Sequence, residues 1–473
     1  MRIVGAVFTG ALTLFLVRYL GPDDYGVYAL AISVGGLLLF PADAGVSRAA
    51  ARFIAERRGD PPQTAAVLRQ ALLLKTAGSA LIAAVLAAAA GPIASAYDTP
   101  DLEWPLRIVA LALIGQSFML LFSSTFEALG RNSLGFRLAL GESSVEVASS
   151  LTLVLAGAGV AGAVGGRAIG YGFATVLGLV LATRAVGRRQ RRRGRPGGPG
   201  LRRMALYAGA MFVVDAAFEA FSQIDVLMIG AILGAEEAGL FSAPAQILQF
   251  SGYLGVALAA GVAPRLARGP GREPDADLFQ LALRLVIALQ LALAIPFLVW
   301  ADPITQLVLG SDYSESAEVL RALAPFIVMI GPGALFGLGL NYLGEARRRV
   351  PLAIGALAIN AGIDVALIPE LGIVAGAIGT DVAYFVFISG HVLIYHDLVG
   401  LRLRPLGLTM LRSVLAAAAM AAILVAFGTD DLSAWQWFAG GGLGLAAYAL
   451  ALALTREVTG SDLRAARDAL RRN

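Results

Sequence analysis

The chain has 473 residues, 58% of them hydrophobic and only 15% charged, with a mean hydropathy of +0.75. A water-soluble domain of that length cannot hide so much apolar surface, so the composition selects an all-α polytopic membrane protein. There is no cysteine and there are only two histidines, His391 and His396, which excludes disulfides, thiolate metal sites and a zinc site built from histidine; the net charge of +4 argues for nucleic acid only until its placement is read.

Apolar stretches of about 17–25 residues separated by Gly/Pro or charge clusters predict transmembrane helices. Roughly fourteen follow in chain order, near residues 1–20, 25–47, 66–90, 104–127, 134–157, 162–183, 205–232, 237–262, 278–300, 316–342, 350–368, 372–396, 407–428 and 434–455. Met1 to Leu20 is apolar, but "VRYLGPDD" is not a small-residue cleavage site, so this segment reads as a span and not as a signal peptide. At the first break, Gly21-Pro22 ends the helix, and Asp23 and Asp24 suit the N-terminal turn of the next one as caps; an ion-binding or gating role is the alternative.

Connections after even-numbered spans are basic. They carry Arg48, Arg52, Arg57 and Arg58; Arg131 and Arg137; "RAVGRRQRRRGRP" from Arg184; Arg265, Arg268 and Arg272; "RRR" at 347–349; and Arg402 and Arg404. The tail adds Arg464, Arg467, Arg471 and Arg472. Connections after odd-numbered spans are acidic or neutral: "GPDD", "YDTPDLEW", "GAEE", "SDYSESAE", "PELG" and "GTDD". Positive charge is retained in the cytoplasm during insertion, so both termini are expected there. The arginine run at 184–203 reads as a cytoplasmic connector in reach of anionic lipid heads; no interleaved aromatic residues support nucleic-acid binding.

Shifting the sequence by about 213 positions aligns several phrases in order. "LGPDDYGVYAL" meets "LGAEEAGLFSA", "EALGRNSLGFRLAL" meets "NYLGEARRRVPLAI", and "GVAGAVGG" meets "GIVAGAIGT". "PLRIVALAL" meets "VLRALAPFI", which pairs Arg107 with Arg321. The offset covers an even number of spans, so the halves share one topology and are expected to be related by an axis along the membrane normal, enclosing a cleft. The expected organisation is a six-helix lobe at 1–183, a basic linker at 184–203, a second six-helix lobe at 204–398, two extra spans at 399–455 and a cytoplasmic tail at 456–473. Met1 aligns near Val214, leaving "RMALYAGAMFV" without a partner; the first helix is short at its start, or the true start lies upstream.

Ionisable residues inside spans are costly and turn toward partners or a wet cavity. In the seventh span, Asp215, Glu219 and Ser222 share a helical face, with Gln223 and Asp225 on the adjoining one. Glu142 and Glu146 in the fifth span, and Asn360 and Asp364 in the eleventh, are i,i+4 pairs, and Glu146 corresponds to Asn360 under the repeat. The cations near spans include Arg18, Arg69, Arg107, Arg284, Arg321 and Lys75, the chain's only lysine, for which snorkelling is the bland alternative. No nucleotide-binding P-loop is present, no outer connection is long enough to house an active site, and no pair of Gly/Pro-broken spans recurs.

The phrases "LVRYLGPDDYGVYALAISV", "SRAAARFIAE", "EALGRNSLG", "QIDVLMIGAILGAEEAGLFSAPAQI", "VLGSDYSESAEVLRALAP" and "LIPELGIVAGAIGTDVAY" extend over nearly the whole chain. Through them it resembles the polysaccharide and O-antigen flippases of the multidrug/oligosaccharidyl-lipid/polysaccharide exporter superfamily. The resemblance implies two six-helix lobes plus two helices, no enzymatic activity, and movement of a polyprenyl-diphosphate-linked oligosaccharide across a bacterial plasma membrane. It also implies basic residues that bind the diphosphate, for which the candidates by position are Arg18, Arg48, Arg52, Arg69, Lys75 and Arg284; arginine offers paired donors to phosphate oxygens. The acidic and amide residues named above are candidates for sugar contact or for binding the proton or sodium ion whose gradient would drive transport. No cofactor is expected; membrane lipids and polysaccharide-assembly proteins are the expected partners. A cation-coupled drug antiporter on the same fold, motivated by the acidic seventh span, a peptidoglycan-precursor flippase, and a membrane polymerase, ligase or glycosyltransferase remain alternatives.

Overall fold

A computed structural model describes residues 2–186, 200–266 and 274–458; within these ranges the side chains at the N-terminus and at scattered positions of the seventh and eighth helices are not described. The remainder of the basic run at 187–199, Arg268 and Arg272, and the tail arginines from Arg464 lie outside the described residues. Every regular element among the described residues is helical. Among the described residues ten segments are long and apolar enough to cross a membrane; one of them, Phe8–Asp43, contains the Gly21 break, and another, Asn132–Val186, contains two helices. The chain divides into two compact units, Met1–Gly239 and Leu240–Asn473.

In the first unit α1 runs Arg2–Asp43, interrupted at Gly21, whose φ of 74° leaves the helical region ahead of Pro22. The expected break is there, and Asp23 and Asp24 stand exposed just after it. α2 (Val46–Ala55) is a short amphipathic helix that the hydropathy reading folded into a connection. It buries Val46, Ala49, Ala50, Phe53 and Ile54 and turns Arg48 and Arg52 outward. Asp60 caps α3 (Pro61–Ala96) by accepting from the Gln63 amide at 3.0 Å. α4 (Glu103–Ala128), α5 (Asn132–Leu153) and α6 (Gly159–Val186) follow, then α7 (Leu201–Ile232) and the first turn of α8 (Ala235–Val262). α2 to α7 share a core in which Phe53, Phe122, Phe126, Leu138, Ala174 and Met204 are buried. α7 joins this unit through close backbone approach: a Cβ on Gly45 would sit 2.2 Å from the Ala208 carbonyl oxygen.

The second unit holds the rest of α8, then α9 (Ala276–Val299), α10 (Ala301–Val308), α11 (Ser316–Ala322), α12 (Ala324–Leu343), α13 (Val350–Leu371), α14 (Val374–Val399), α15 (Leu403–Ala426) and α16 (Ala434–Leu454). The expected span at 316–342 is therefore two helices, α11 and α12, hinged at Leu323, with Pro325 at the start of the second. Phe279 of α9 stacks on Tyr395 of α14 at 4.6 Å, and the Tyr395 hydroxyl donates to the Phe336 carbonyl of α12 at 2.7 Å. α15 and α16 attach to α9 through hydrogen bonds from Gln280 to the Arg402 carbonyl at 2.8 Å and from the Tyr448 hydroxyl to the Ala288 carbonyl at 2.6 Å.

The repeat reappears in the backbone. Left-handed glycines fall at equivalent places: Gly21 and Gly234 ahead of "PDD" and "AEE", and Gly130 and Gly344 at the ends of α4 and α12. Outward-facing Leu81, Leu111, Val176, Phe385, Leu393 and Phe438 are all exposed, as surfaces bathed in acyl chains are.

Candidate functional site

Polar residues on neighbouring helices converge in the first unit. Glu142 and Glu146 lie one turn apart on α5, and Arg167 and Tyr171 one turn apart on α6, so each pair shares a helical face. Glycine lets the two helices touch: a Cβ on Gly166 would lie 2.2 Å from the Ser150 hydroxyl oxygen, and one on Gly170 would lie 2.8 Å from Glu146 Cβ. This approach sets Arg167 Nη1 3.8 Å from Glu146 Oε1. The guanidinium also donates to the Tyr28 hydroxyl of α1, and its Cζ lies 5.5 Å from the Tyr171 ring centroid. Ser143 donates to Glu142 Oε2 at 3.1 Å.

Both carboxylates are buried, at 5% and 9% exposure. With Arg167, Tyr171 and, from α4, Gln116 and Ser123, they line a cavity of about 280 Å³. Buried charges persist where they have partners and a use. Two carboxylates and one guanidinium in a space of this size can bind a polar group, hold a proton or do both.

The other expected residues are distributed as follows. Lys75 of α3 is fully buried, paired with Asp43 at the end of α1, and donates to the Ser47 hydroxyl at 2.9 Å, while Ser47 donates to Asp43 at 2.5 Å. Arg52 is half exposed and pairs with Glu56 at 3.1 Å, one turn along the same surface. Arg18, Arg48 and Arg69 are exposed. Arg284 of α9 is taken up by Glu457: Nη2 reaches Oε1 at 2.8 Å and the backbone carbonyl at 2.9 Å. Arg412 joins the same carboxylate at 3.0 Å, and Thr409 donates to it as well. Lys75 and Arg284, candidates by position for binding a diphosphate, each form an ion pair between chain segments, the partner that a buried charge requires.

Of the acidic set, Gln223 of α7 donates to Glu219 at 2.9 Å, with both packed against Gly36 of α1, and Asp225 is buried. The side chain of Asp215 lies outside the described residues. In the second unit Asn360 and Asp364 of α13 are fully buried against α14, where a Cβ on Gly379 would fall 2.6 Å from Asn360 Oδ1 and 2.7 Å from Asp364 Oδ1. Among the described residues no cluster of three or more His, Asp or Glu side chains could hold a metal ion.

Arg167 is one of the site residues that the sequence reading passed over, with Tyr28, Tyr171, Gln116 and Ser123. It follows directly on the repeated phrase "GVAGAVGG", and at an offset of 214 it corresponds to Asp381 in "GAIGTD". Glu146 and Ser150 correspond in the same frame to Asn360 and Asp364. A lone charge beside a repeated glycine phrase was the available signal.

A family model described as "polysaccharide biosynthesis protein" matches residues 15–318. The chain belongs to that polysaccharide biosynthesis protein family. Curated proteins provide no match. Among solved structures, this family member is similar in fold to a lipid II flippase, MurJ, in an inward closed conformation, with a TM-score of 0.72 at 12% identity, covering 95% of this chain and 97% of that one. An inward-facing multidrug resistance MATE family transporter of the MOP superfamily gives 0.65 at 16% identity over 84% of this chain and 95% of its own. A eukaryotic MATE transporter, AtDTX14, gives 0.62 at 14% identity over 82% and 91%. The polysaccharide biosynthesis family member therefore has the fold of these transporters and is a multi-pass membrane protein.

Proposed function

We propose that the protein is a flippase that moves a polyprenyl-diphosphate-linked oligosaccharide from the inner to the outer leaflet of the plasma membrane by alternating access, for surface polysaccharide assembly. In this reading it has roughly fourteen spans in two repeated six-helix lobes plus two C-terminal spans, with both termini cytoplasmic. It catalyses no covalent step and works beside the proteins that build and polymerise the sugar. The observation that carries the reading is a cavity lined by buried charged side chains between apolar helices in a member of a polysaccharide biosynthesis family. Polar groups at that depth are costly unless they receive a polar passenger or an ion.

A proton or sodium gradient would supply the drive, with Glu142 and Glu146 of α5 and Asn360 and Asp364 of α13 as the candidate coupling residues. Purified protein in liposomes should translocate a labelled polyprenyl-diphosphate sugar when an ion gradient is imposed. Failure across a panel of such lipids, with and without proton and sodium gradients, would refute the reading. The surplus of carboxylates over arginine in the chamber favours one second reading, a cation-coupled exporter of organic cations. Dye resistance in a susceptible host, lost on Glu146→Gln, would select that alternative.

A further inference from the structure

The cavity in the first unit is small, and two carboxyl groups and one guanidinium are among the residues that line it. At about 280 Å³ it lies at or below the lower end of ordinary small-molecule pockets, about 300–1,000 Å³, so it has room for one ring and not for a whole oligosaccharide. Glu142 and Glu146 face a single cation, Arg167, whose guanidinium is already directed at Glu146, Tyr28 and Tyr171. A diphosphate brought here would find no spare cation to offset its charge, because Arg167 is already engaged, and would be desolvated without compensation.

The hydrogen-bonding inventory points to a different ligand. An ionised carboxylate accepts and one that holds a proton also donates, Arg167 only donates, and Gln116 and Ser123 do both. Neighbouring hydroxyls on a pyranose ring each give and take, so a ring of vicinal hydroxyls matches this mixture, whereas a purely cationic or purely anionic group matches half of it. Tyr171 lines the same space beside the acceptors.

We propose that this chamber holds one hydroxyl-rich sugar ring of the lipid-linked head and leaves the diphosphate outside it. The proposal rests on the flippase reading above and assigns the part of the substrate that the α5–α6 cluster recognises.

The test uses the full chain in lipid nanodiscs and three probes: a polyprenyl diphosphate carrying one hexose, the same lipid without sugar, and a cationic dye. Binding is measured for the wild type, Glu146→Gln, and Gln116→Leu, the last leaving the charged cluster intact; melting curves accompany each variant. Both variants are expected to weaken the hexose-bearing lipid by about tenfold, the loss of one charge-assisted or buried hydrogen bond. The sugar-free lipid should bind all three proteins within about twofold. Equal weakening of both lipids would place the diphosphate in the chamber and overturn the proposal. So would an unchanged hexose-lipid affinity in a folded Gln116→Leu variant, or dye binding that competes with the hexose lipid and disappears in Glu146→Gln. If the wild type binds neither lipid, the flippase reading itself fails, and this assignment with it.

Discussion

Lys75 is completely buried, and an isolated ammonium at that depth would cost far more than one membrane helix could offset. Asp43 supplies the opposite charge and Ser47 bridges the two, so three residues from α1, α2 and α3 hold the turn at Ala44-Gly45, where both residues have positive φ. Removing one partner strands the other. Lys75→Met should lower stability by about 3–5 kcal/mol, the range for breaking a buried pair. Adding Asp43→Asn should recover most of that loss, and thermal unfolding of the purified protein would measure both. If the single and double variants melted alike, the pair would not be what fastens this corner. At this scale the sequence was only partly legible. It showed that Lys75 was unusual and placed it near a span, but burial inside a bundle or snorkelling to an interface depends on the helix's neighbours, which composition does not encode. Arg167 escaped for the same reason: one arginine in a run of Gly and Ala does not shift a span's hydropathy, and its carboxylate partner is on another helix.

Helices α15 and α16 follow the part of the chain that carries the internal repeat, and they are fastened to it at Glu457. That carboxylate, 3% exposed, takes Arg284 from α9, Arg412 and Thr409 from α15, and lies just beyond α16. Glu457→Gln would leave two arginines half-satisfied at one polar centre. Amide hydrogen exchange across α15 and α16 should accelerate by about tenfold or more, equivalent to about 1.4 kcal/mol of lost local protection, while α3 to α6 stay unchanged. Uniform acceleration along the chain would mean that Glu457 supports global stability and not this attachment. Element by element, the hydropathy reading found the long helices because their period and length are properties of the chain alone. It merged α2 into a connection and α11 into α12, because a ten-residue amphipathic helix and a helix break at Leu323 depend on what packs beneath them. The α5–α6 pair was legible as two spans, and its polar face as Glu142 and Glu146. The close approach that Gly166 and Gly170 permit could be read only in three dimensions.

For the whole molecule, orientation in the bilayer is the property most directly encoded by charge. The absence of cysteine allows single introduced thiols to report sidedness without background. Asp101→Cys and Asp431→Cys, both at exposed acidic connections, should react with a membrane-impermeant maleimide applied to intact cells. Arg131→Cys and Arg347→Cys, exposed on basic connections, should react only after the membrane is opened. The reverse pattern would invert the proposed topology, and a mixed pattern would show that the span count is wrong by one.

The correspondence between Arg167 and Asp381 carries a consequence of another kind. The positions that the repeated phrases align present a cation on α6, beside Glu146, and an anion on α14, hydrogen-bonded to the Phe326 backbone at the start of α12. An ancestor assembled from two identical copies would have shown the same sign twice. At this pair of aligned positions the two residues carry opposite signs, so neither could take over the other's contact.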